Sequence, residues 1–407
     1  MPSVIAADVV LTWRDAALLS ADVALSWRDA ALISTTGTAF TKPAAPAGGA
    51  QAITDPLAPT YILPTLDSYR AVHAMTAIDL RDGAAVEFDS LSIADADGGL
   101  CWTLSATGGP ALFARFTTGD LPIIEVTVDG LAWRFAVEDI RRSRSAGSAA
   151  VSITGRSLSI LAGEPYALPQ NWINDGPANG SQLVDQAQLY TGLAVDWLSA
   201  DWLVPDKVWT FAGTPLAVAQ RVAETIGAVV RSDRAEQRIS VAPRYRELPH
   251  EWPYVAPDVE IHIDAALTES YARADRPPYN GVYLSGHQQG ASSFVSLAGT
   301  AGDLLAPMVT DFLLTDLDAC GERGRAVLGA GGPQATVQLT LPVLTGSGLP
   351  GVLDRGMLCR FVETGAATWW GIVRAVSLSA SLPSVVQTIT VERHTADIAG
   401  TAIAGSA

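Results

Sequence analysis

The stretch Val151-Ser-Ile-Thr-Gly-Arg-Ser-Leu-Ser-Ile-Leu161 lies where one folding pattern ends and another begins. From residue 149 to residue 154, apolar and polar residues alternate, which predicts a β-strand. Four similar segments precede it, at residues 85–93, 100–105, 122–128 and 132–137. Asp129-Gly130 stands alone between the last two, as a two-residue hairpin loop does, and Asp97-Gly-Gly and Gly108-Gly-Pro are expected to be further hairpin connections. Residues 65–163 are therefore predicted to form a small antiparallel β-barrel or sandwich.

Residues 164–258 combine helix and strand signals. Residues 181–190 have a helical pattern. A second helix is predicted from Thr214 to Gly227, because Thr214 can cap the first N–H groups, Pro215 suits the first helical position, and Gly227 suits the end. Residues 228–242 then follow the pattern of strand, polar turn and strand. The sequence predicts a small α/β module here.

Strand patterns resume at about residue 259 and continue to residue 395. The clear ones are residues 259–263, 281–285, 293–297, 334–341, 358–362, 369–374 and 386–392. One helix interrupts them at residues 316–328, with Thr315 as its predicted cap. This part is therefore expected to be a second β-domain. The Ala/Gly-rich tail at residues 396–407 is expected to be loose.

The N-terminal part contains an internal repeat. Residues 7–20 and 21–34 are tandem copies that differ at three positions. Val9, Leu11 and Trp13 alternate with polar residues, which favours extended arms that pack on another surface. A recent duplication in a tolerant tail is the alternative. From Thr35 to Pro64 the chain is a proline-rich linker that is expected to be extended without sheet pairing, so residues 1–64 form an arm.

Composition excludes several classes of protein. The formal net charge is -16, which argues against a basic nucleic-acid-binding patch and against binding to anionic membrane surfaces. No stretch approaches the roughly 20 apolar residues of a membrane helix, and no signal peptide is evident, so we expect a soluble protein made in the cytoplasm. Only 17% of residues are charged, against roughly a quarter in typical soluble chains. Extensive burial against other chains would account for this shortfall and for the basic residues, which are arginine in all but two of 26 cases. A GC-rich genome is the alternative explanation of that preference for arginine.

No catalytic template is complete. Gly155-Arg-Ser157 lacks the second glycine of a nucleophile elbow, and with Lys42 and Lys207 as the only lysines there is no phosphate-binding loop. Asp95-Ala-Asp97-Gly-Gly resembles the start of a calcium loop, but Ala106 stands where the bidentate glutamate is required. A hairpin turn is therefore the favoured interpretation of that segment.

The histidines and cysteines give no metal pattern. The five histidines are scattered, at positions 73, 250, 262, 287 and 394. His262 is expected on the solvated face of a strand, and His287 lies in a polar turn that can in principle donate to a ligand. Cys101, Cys320 and Cys359 are far apart, so we expect buried thiols and no disulfides. We assign no catalytic, cofactor-binding or metal-binding residue.

The order of segments resembles the baseplate hub proteins of Mu-like and related tailed bacteriophages over roughly residues 70–395. The resemblance rests on Gly155-Arg156-Ser157-Leu158 at a strand-to-helix junction and on Asn280-Gly-Val with Gly286 in a later strand. It implies a mainly β (α+β) chain with two tail-tube-like antiparallel β-barrels, at residues 65–163 and 259–395, around an α/β insert. The N-terminal repeat and linker depart from the family pattern.

The resemblance implies a structural virion protein of the tail baseplate or tail tip, without enzymatic activity or cofactors. Such hubs are similar to homotrimeric rings that adapt a sixfold tail tube to a threefold central fibre or spike. The implied partners are distal tail or tail-tube proteins, the fibre or spike protein and the tape measure protein. DNA would pass through the lumen during genome ejection without specific binding, along a wall lined by the surplus carboxylates.

Two other functions stay open. One is a cell-wall-degrading tail enzyme, because carboxylates are plentiful enough to supply a glycoside hydrolase pair. The other is a carbohydrate-binding receptor-recognition protein, because eleven tryptophans are enough for a sugar-stacking platform. Exposure of those tryptophans in a groove would favour the carbohydrate-binding function, and their burial would favour a structural role.

Overall fold

The computed structural model describes residues 5–11, 58–65, 69–146, 148–287, 290–381 and 384–394. Residues 12–20 of the first repeat copy, the whole second copy, residues 35–57 of the linker and the C-terminal tail at residues 396–407 lie outside these residues. We call residues 69–157 the first β-region, 158–258 the α/β region and 259–394 the second β-region.

The N-terminal residues and the first β-region contain nine strands and one short helix. They are β1 (Ile5–Leu11), β2 (Tyr61–Leu63), β3 (Tyr69–Asp79), β4 (Ala84–Ala85), β5 (Ser90–Asp95), β6 (Thr103–Gly108), α1 (Ala111–Phe116), β7 (Ile123–Val128), β8 (Leu131–Ser145) and β9 (Ser148–Ser157).

The α/β region contains two longer helices among short strands. Its elements are β10 (Gln170–Ile173), β11 (Ala178–Asn179), α2 (Gly180–Gln188), β12 (Ala194–Trp197), β13 (Leu203–Val204), β14 (Thr210–Gly213), α3 (Pro215–Thr225), β15 (Ala228–Ser232) and β16 (Arg238–Pro243).

The second β-region contains the remaining strands and one helix. They are β17 (Val259–His262), β18 (Thr268–Asp275), β19 (Gly281–Ser285), β20 (Ser292–Ser296), β21 (Val309–Thr310), α4 (Leu317–Gly329), β22 (Pro333–Pro342), β23 (Leu358–Val362), β24 (Trp369–Ser381) and β25 (Ser384–His394). Short 3₁₀ turns occupy Leu158–Ala162, Trp252–Tyr254 and Ile263–Ala265.

Most strands of both β-regions belong to one sheet of fifteen. Its main path runs β1-β3-β7-β8-β9-β6-β5-β24-β23-β17-β2, and β25 links β24 to β22, which pairs with β18. The two β-regions join where β5 pairs antiparallel with β24. The chain is therefore mainly β, as predicted, with its β-regions continuous through a single backbone ladder.

Two large apolar cores lie beneath this arrangement. The first draws side chains from both β-regions, among them Ile93, Trp133 and Leu378. The second collects the buried faces of α2 and α3 together with Val282 and Cys320 of the second β-region. Residues 281–329 therefore pack against the α/β region. Their strands form a separate sheet in the order β20-β19-β21.

Several local predictions are confirmed. Asp129 and Gly130 both have positive φ, at 50° and 84°, and connect β7 to β8 as a two-residue hairpin. The Thr214 side chain accepts a hydrogen bond from the Ala217 amide at 3.3 Å and caps α3, and Gly227 has φ +69° just past its end. Residues 7–11 of the strand predicted in the first repeat copy lie in β1, which pairs antiparallel with β3. Trp13 lies outside the described residues.

Three expectations were wrong. Tyr61–Leu63, placed in the unpaired linker, forms the edge strand β2, because this proline-free segment is long enough to pair with β17. Gly108-Gly-Pro leads into α1 and is not a hairpin loop, since Pro110 suits the start of a helix. Asp316, not Thr315, caps α4: its side chain accepts from the Asp318 amide at 2.8 Å, while Thr315 Oγ1 donates to the Leu203 carbonyl at 2.6 Å.

Candidate assembly surfaces

Arg355 connects all three regions of the chain. It lies in the loop between β22 and β23, and its side chain is 5% exposed. Its Nη1 donates to the Ala96 carbonyl at 2.9 Å, and its Nη2 donates to the carbonyls of Gly99 and Val230 at 3.0 and 2.8 Å. Its Nε lies 3.1 Å from Asp95 Oδ2, an ion pair without hydrogen-bond alignment. One side chain of the second β-region therefore holds the β5–β6 turn and strand β15 together.

Arg234 makes a second connection beside it. Its Nε and Nη2 donate to Asp354 Oδ1 at 3.0 and 2.7 Å, and Nη2 also donates to the Val352 carbonyl at 2.7 Å. The guanidinium lies 5.5 and 5.2 Å from the ring centroids of Trp102 and Trp133. Such cation–π contacts add to the ion pair when they are removed from water. The α/β region is thus tied to both β-regions through its β15–β16 loop.

A buried carboxylate organises the other side of this junction. Glu392 accepts hydrogen bonds from Tyr245 Oη at 2.6 Å and from Arg374 Nε at 2.8 Å, and His394 Nε2 lies 2.9 Å away. Burial alone would raise the pKa of Glu392, but the bonds from His394 and Arg374 and the charge of Arg374 lower it well below its usual range. Burial and the neighbouring Glu392 raise the pKa of Tyr245 to about 12.

Asp95 shows the opposite balance. Burial raises the pKa of this carboxyl to about 6, although the positive charge of Arg355 opposes the shift. Asp95 therefore carries its charge at pH 7 and loses it in mild acid. Asp95 and Glu392, the two carboxyl groups with shifted pKa values, both contact arginines that join separate parts of the chain. Their pKa shifts are therefore accounted for by contacts that hold the fold together.

The segments that carry the sequence resemblance have structural reasons for their residues. A Cβ on Gly155 would lie 2.5 Å from the Ala136 carbonyl oxygen, beside a bulge in β8, so only glycine fits there. Arg156 forms a two-pronged ion pair with Glu138 at 2.5 and 2.7 Å. The buried Ser157 hydroxyl accepts from the Trp102 amide at 3.1 Å.

The later segment is built in the same way. The side chain of Asn280 accepts from the Leu304 amide at 2.7 Å and donates to Asp303 at 3.0 Å, which closes the loop after β20 onto β19. A side chain on Gly281 or on Gly286 would collide with backbone atoms of neighbouring loops. These residues position the β20-β19-β21 sheet.

Strand β18 is an exposed edge of the large sheet. Among the described residues its backbone pairs only with β22, and seven of its eight residues are exposed, on both faces of the strand. Tyr271 in its middle is 50% exposed. An unpaired edge presents free N–H and C=O groups to another chain. Thr268–Asp275 is therefore a candidate docking edge.

The β20-β19-β21 sheet presents a second candidate surface. Its inner face packs on α4, where Gly324 lies against Val295. On its outer face the rings of Tyr283 and Phe294 lie 4.7 Å apart and are 50% and 44% exposed. Further exposed apolar residues in the following loop are Leu304, Leu305 and Met308. Clustered exposed apolar groups of this kind mark interaction surfaces.

The residues that the sequence analysis considered as possible site residues do not come together in one site. His73 pairs with Asp129 at 2.7 Å, and His262 lies 3.4 Å from Glu260. His287 is exposed and has φ +59° in its turn. The Asp97-Gly-Gly segment is the β5–β6 hairpin turn, as favoured over a calcium loop. No cluster of three or more potential metal ligands occurs among the described residues.

The tryptophans and cysteines favour a structural role. The nine tryptophans in the described residues are buried or half-buried, and none is exposed. They therefore offer no open stacking platform in that part of the chain. Cys101, Cys320 and Cys359 are buried free thiols, as predicted, and burial raises the pKa of each.

No described helix is long and apolar enough to span a bilayer.

Sequence reasoning did not single out Arg355 or Arg234. Each is one arginine in a polar loop, and neither periodicity nor spacing distinguishes it from arginines on the surface. The only available signal was the Asp354-Arg355-Gly356 triplet between two predicted strands, which has the composition of an ordinary turn.

Comparisons with known proteins identify the fold. No protein-family model and no curated protein matches the chain. Among solved structures it is similar to a tail protein from Neisseria meningitidis MC58, with a TM-score of 0.55 and 12% identity over 79% of this chain and 97% of that one. It is also similar to the 43 kDa tail protein of prophage MuSo2 from Shewanella oneidensis, with a TM-score of 0.52, 12% identity, and coverage of 78% and 97%. The chain has the fold of these phage tail proteins, which confirms the resemblance at the level of the fold.

Proposed function

We propose that this chain is a structural hub subunit of a bacteriophage tail baseplate or tail tip. The fold shared with two phage tail proteins supports a tail location in the virion. In this proposal residues 65–163 and 259–395 act as two tail-tube-like barrels, residues 164–258 as the α/β module between them, and residues 1–64 as an arm. The continuous backbone ladder through β5 and β24 supports treating the two β-regions as one rigid unit.

The observation that carries the proposal is the exposed edge of β18. A strand that is exposed on both faces and paired on one side is a liability in a free monomer, because it invites uncontrolled pairing. Pairing with a different edge of a neighbouring copy removes that liability. Head-to-tail contacts of this kind close into a ring when the rotation between copies permits. We propose a homotrimer in which six barrels form a pseudo-sixfold ring.

A pseudo-sixfold ring of three chains would adapt a sixfold tail tube on one side to a threefold fibre or spike on the other. The expected partners are distal tail or tail-tube proteins, the fibre or spike protein, and the tape measure protein. DNA would cross the lumen without specific binding. The formal net charge of -16 supports a lumen lined by carboxylates, since like charges keep DNA from adhering. A basic inner wall in an electron cryomicroscopy map of the assembled ring would contradict this part.

The test measures the oligomeric state by native mass spectrometry. The full chain, alone or with tail partners, should give a species of about three times 42.5 kDa. Lysines at two exposed edge positions, Ser270→Lys with Ala272→Lys, should shift the population to monomer because charged edge strands resist pairing. Ser379→Lys is the matched control, since Ser379 is exposed on β24, which is paired on both sides.

A chain that stays monomeric even with its tail partners would contradict the hub proposal. If the variant with the two edge lysines forms trimers as well as the Ser379→Lys control does, the ring closes through another surface.

A further inference from the structure

A polar cavity of about 330 Å³ lies at the junction of the three regions. Its floor is one face of the β12-β16-β15 sheet, where Asp196, Ser240 and Arg231 are register partners across the three strands. Its walls come from both β-regions and include Trp102 and Arg355. The cavity is therefore an open cleft bounded by parts of the chain that are far apart in sequence.

Four arginines and four aspartates line the cavity, and the four aspartates are already engaged. Asp95 faces Arg355 at 3.1 Å, Asp354 accepts from Arg234 at 2.7 Å, and Asp196 accepts from Arg238 at 2.8 Å. The fourth, Asp233, accepts instead from the backbone amides of Ala235 and Glu236 at 2.8 and 2.7 Å.

Arg231 is the arginine that is left over. Among the described residues it makes no hydrogen bond and no ion pair, and its Nε is buried without an acceptor. Its guanidinium lies directly against Gly356, where any side chain would collide with it. Burial, together with the positive charges of Arg355 and Arg374, lowers the pKa of Arg231 to about 10, although the negative charges of Asp95 and Asp354 oppose the shift, so the group remains charged at pH 7.

Arg231 is largely buried, and the two carboxylates near it, Asp95 and Asp354, are engaged by other arginines. A cation in that position is costly, and an anion that reaches it recovers part of that cost. The planar guanidinium fork matches the oxygens of a phosphate or sulfate. Ser240 stands beside Arg231 on the floor with its hydroxyl uncommitted among the described residues, and Arg238 and Arg234 keep unused donor nitrogens in the same cavity.

We propose that this cavity binds a small tetrahedral oxyanion, inorganic phosphate or sulfate, on Arg231. The anion would bridge the floor of the α/β region to the walls from both β-regions and so lock the junction. The nearby carboxylates of Asp95 and Asp354 limit its affinity, and we expect a dissociation constant on the order of 1 mM. This inference does not depend on the proposed tail function.

The test compares thermal unfolding of the full chain in 20 mM sodium phosphate, sodium sulfate, sodium acetate and sodium chloride at equal ionic strength. Phosphate and sulfate should each raise the midpoint by about 2–4 °C relative to chloride. Protection by acetate equal to that by phosphate would overturn the assignment to a tetrahedral anion. No protection by phosphate or sulfate would overturn the site.

Variants then locate the binding. Arg231→Met should abolish the phosphate response without lowering the midpoint in chloride, because it removes a largely buried charge that forms no direct ion pair. Arg231→Lys should weaken the response, since lysine lacks the fork. Arg141→Met, at an exposed arginine on β8, should leave it unchanged. A full phosphate response in Arg231→Met would overturn the proposal.

If Arg231→Met does not fold, equilibrium dialysis of the unaltered chain with radiolabelled phosphate decides the question. Saturable binding of one phosphate per chain, with displacement by sulfate, is expected. An absence of saturable binding below 10 mM, or occupancy well above one, would overturn the proposal.

Discussion

Replacing Arg355 with methionine should loosen the junction between the three regions. The guanidinium makes three hydrogen bonds to the carbonyls of Ala96, Gly99 and Val230 and faces the buried Asp95. Bonds from a charged donor are worth about 1.5–3 kcal/mol each, and removing one partner of a buried ion pair costs about 3–5 kcal/mol. These contributions overlap, because one guanidinium makes both the hydrogen bonds and the ion pair, and methionine retains the apolar packing. We therefore expect the free energy of unfolding to fall by about 4 kcal/mol.

The assay is urea denaturation followed by tryptophan fluorescence, since Trp102 and Trp133 lie beside the junction. The matched control is Arg141→Met, which removes an exposed pair with Asp139 and should cost less than about 0.5 kcal/mol. Adding Asp95→Asn to Arg355→Met should recover about 1–2 kcal/mol, because the stranded carboxylate is neutralised.

A loss of less than about 1 kcal/mol for Arg355→Met would refute this reasoning. It would mean that the three regions hold together through apolar packing and the β5–β24 ladder alone. A large loss with no recovery from Asp95→Asn would show that the carbonyl bonds, and not the ion pair, carry the effect.

Two further changes test neighbouring parts of the structure. Gly155→Val should destabilise the chain by about 2 kcal/mol in the same denaturation assay, because its Cβ would press on the Ala136 carbonyl. Gly130→Asn is the comparison variant, and it should lower the free energy of unfolding by less, since asparagine tolerates positive φ. Glu392 has a pKa below its unfolded value, so its stabilising effect is present above about pH 4.5 and is lost as the pH falls further. Glu392→Gln should have a lower free energy of unfolding than the unaltered chain at pH 7. Between pH 7 and pH 3 its free energy of unfolding should decline less steeply. Parallel curves for the two proteins would contradict this prediction.

Local chemistry explains which elements were predictable from the sequence. The hairpin at Asp129-Gly130 requires two residues with positive φ, and the cap, proline and glycine of α3 each satisfy a backbone requirement within a few residues. In each case the signal and the structure that it specifies are adjacent in the chain.

Long-range pairing explains what was not predictable. Strand β2 forms because β17, nearly 200 residues later, supplies a partner for a three-residue segment. The pairing of β5 with β24, which merges the two β-regions into one sheet, depends on edges that no local pattern describes. The same holds for Arg355 and Arg231, whose roles arise from carbonyls and charges brought together only by the fold.

The junction also determines what the chain can assemble into. Under the proposed function, β18 at one end of the large sheet must meet a different surface of the next copy, and a head-to-tail ring closes only if those two surfaces keep a fixed angle. Within one chain that angle depends on the β5–β24 ladder and on Arg355, which bonds the first β-region and the α/β region from the second. Arg355→Met should therefore reduce ring formation at urea concentrations where the chain is still folded. Rings that form equally well in that variant would separate assembly from the rigidity of the junction.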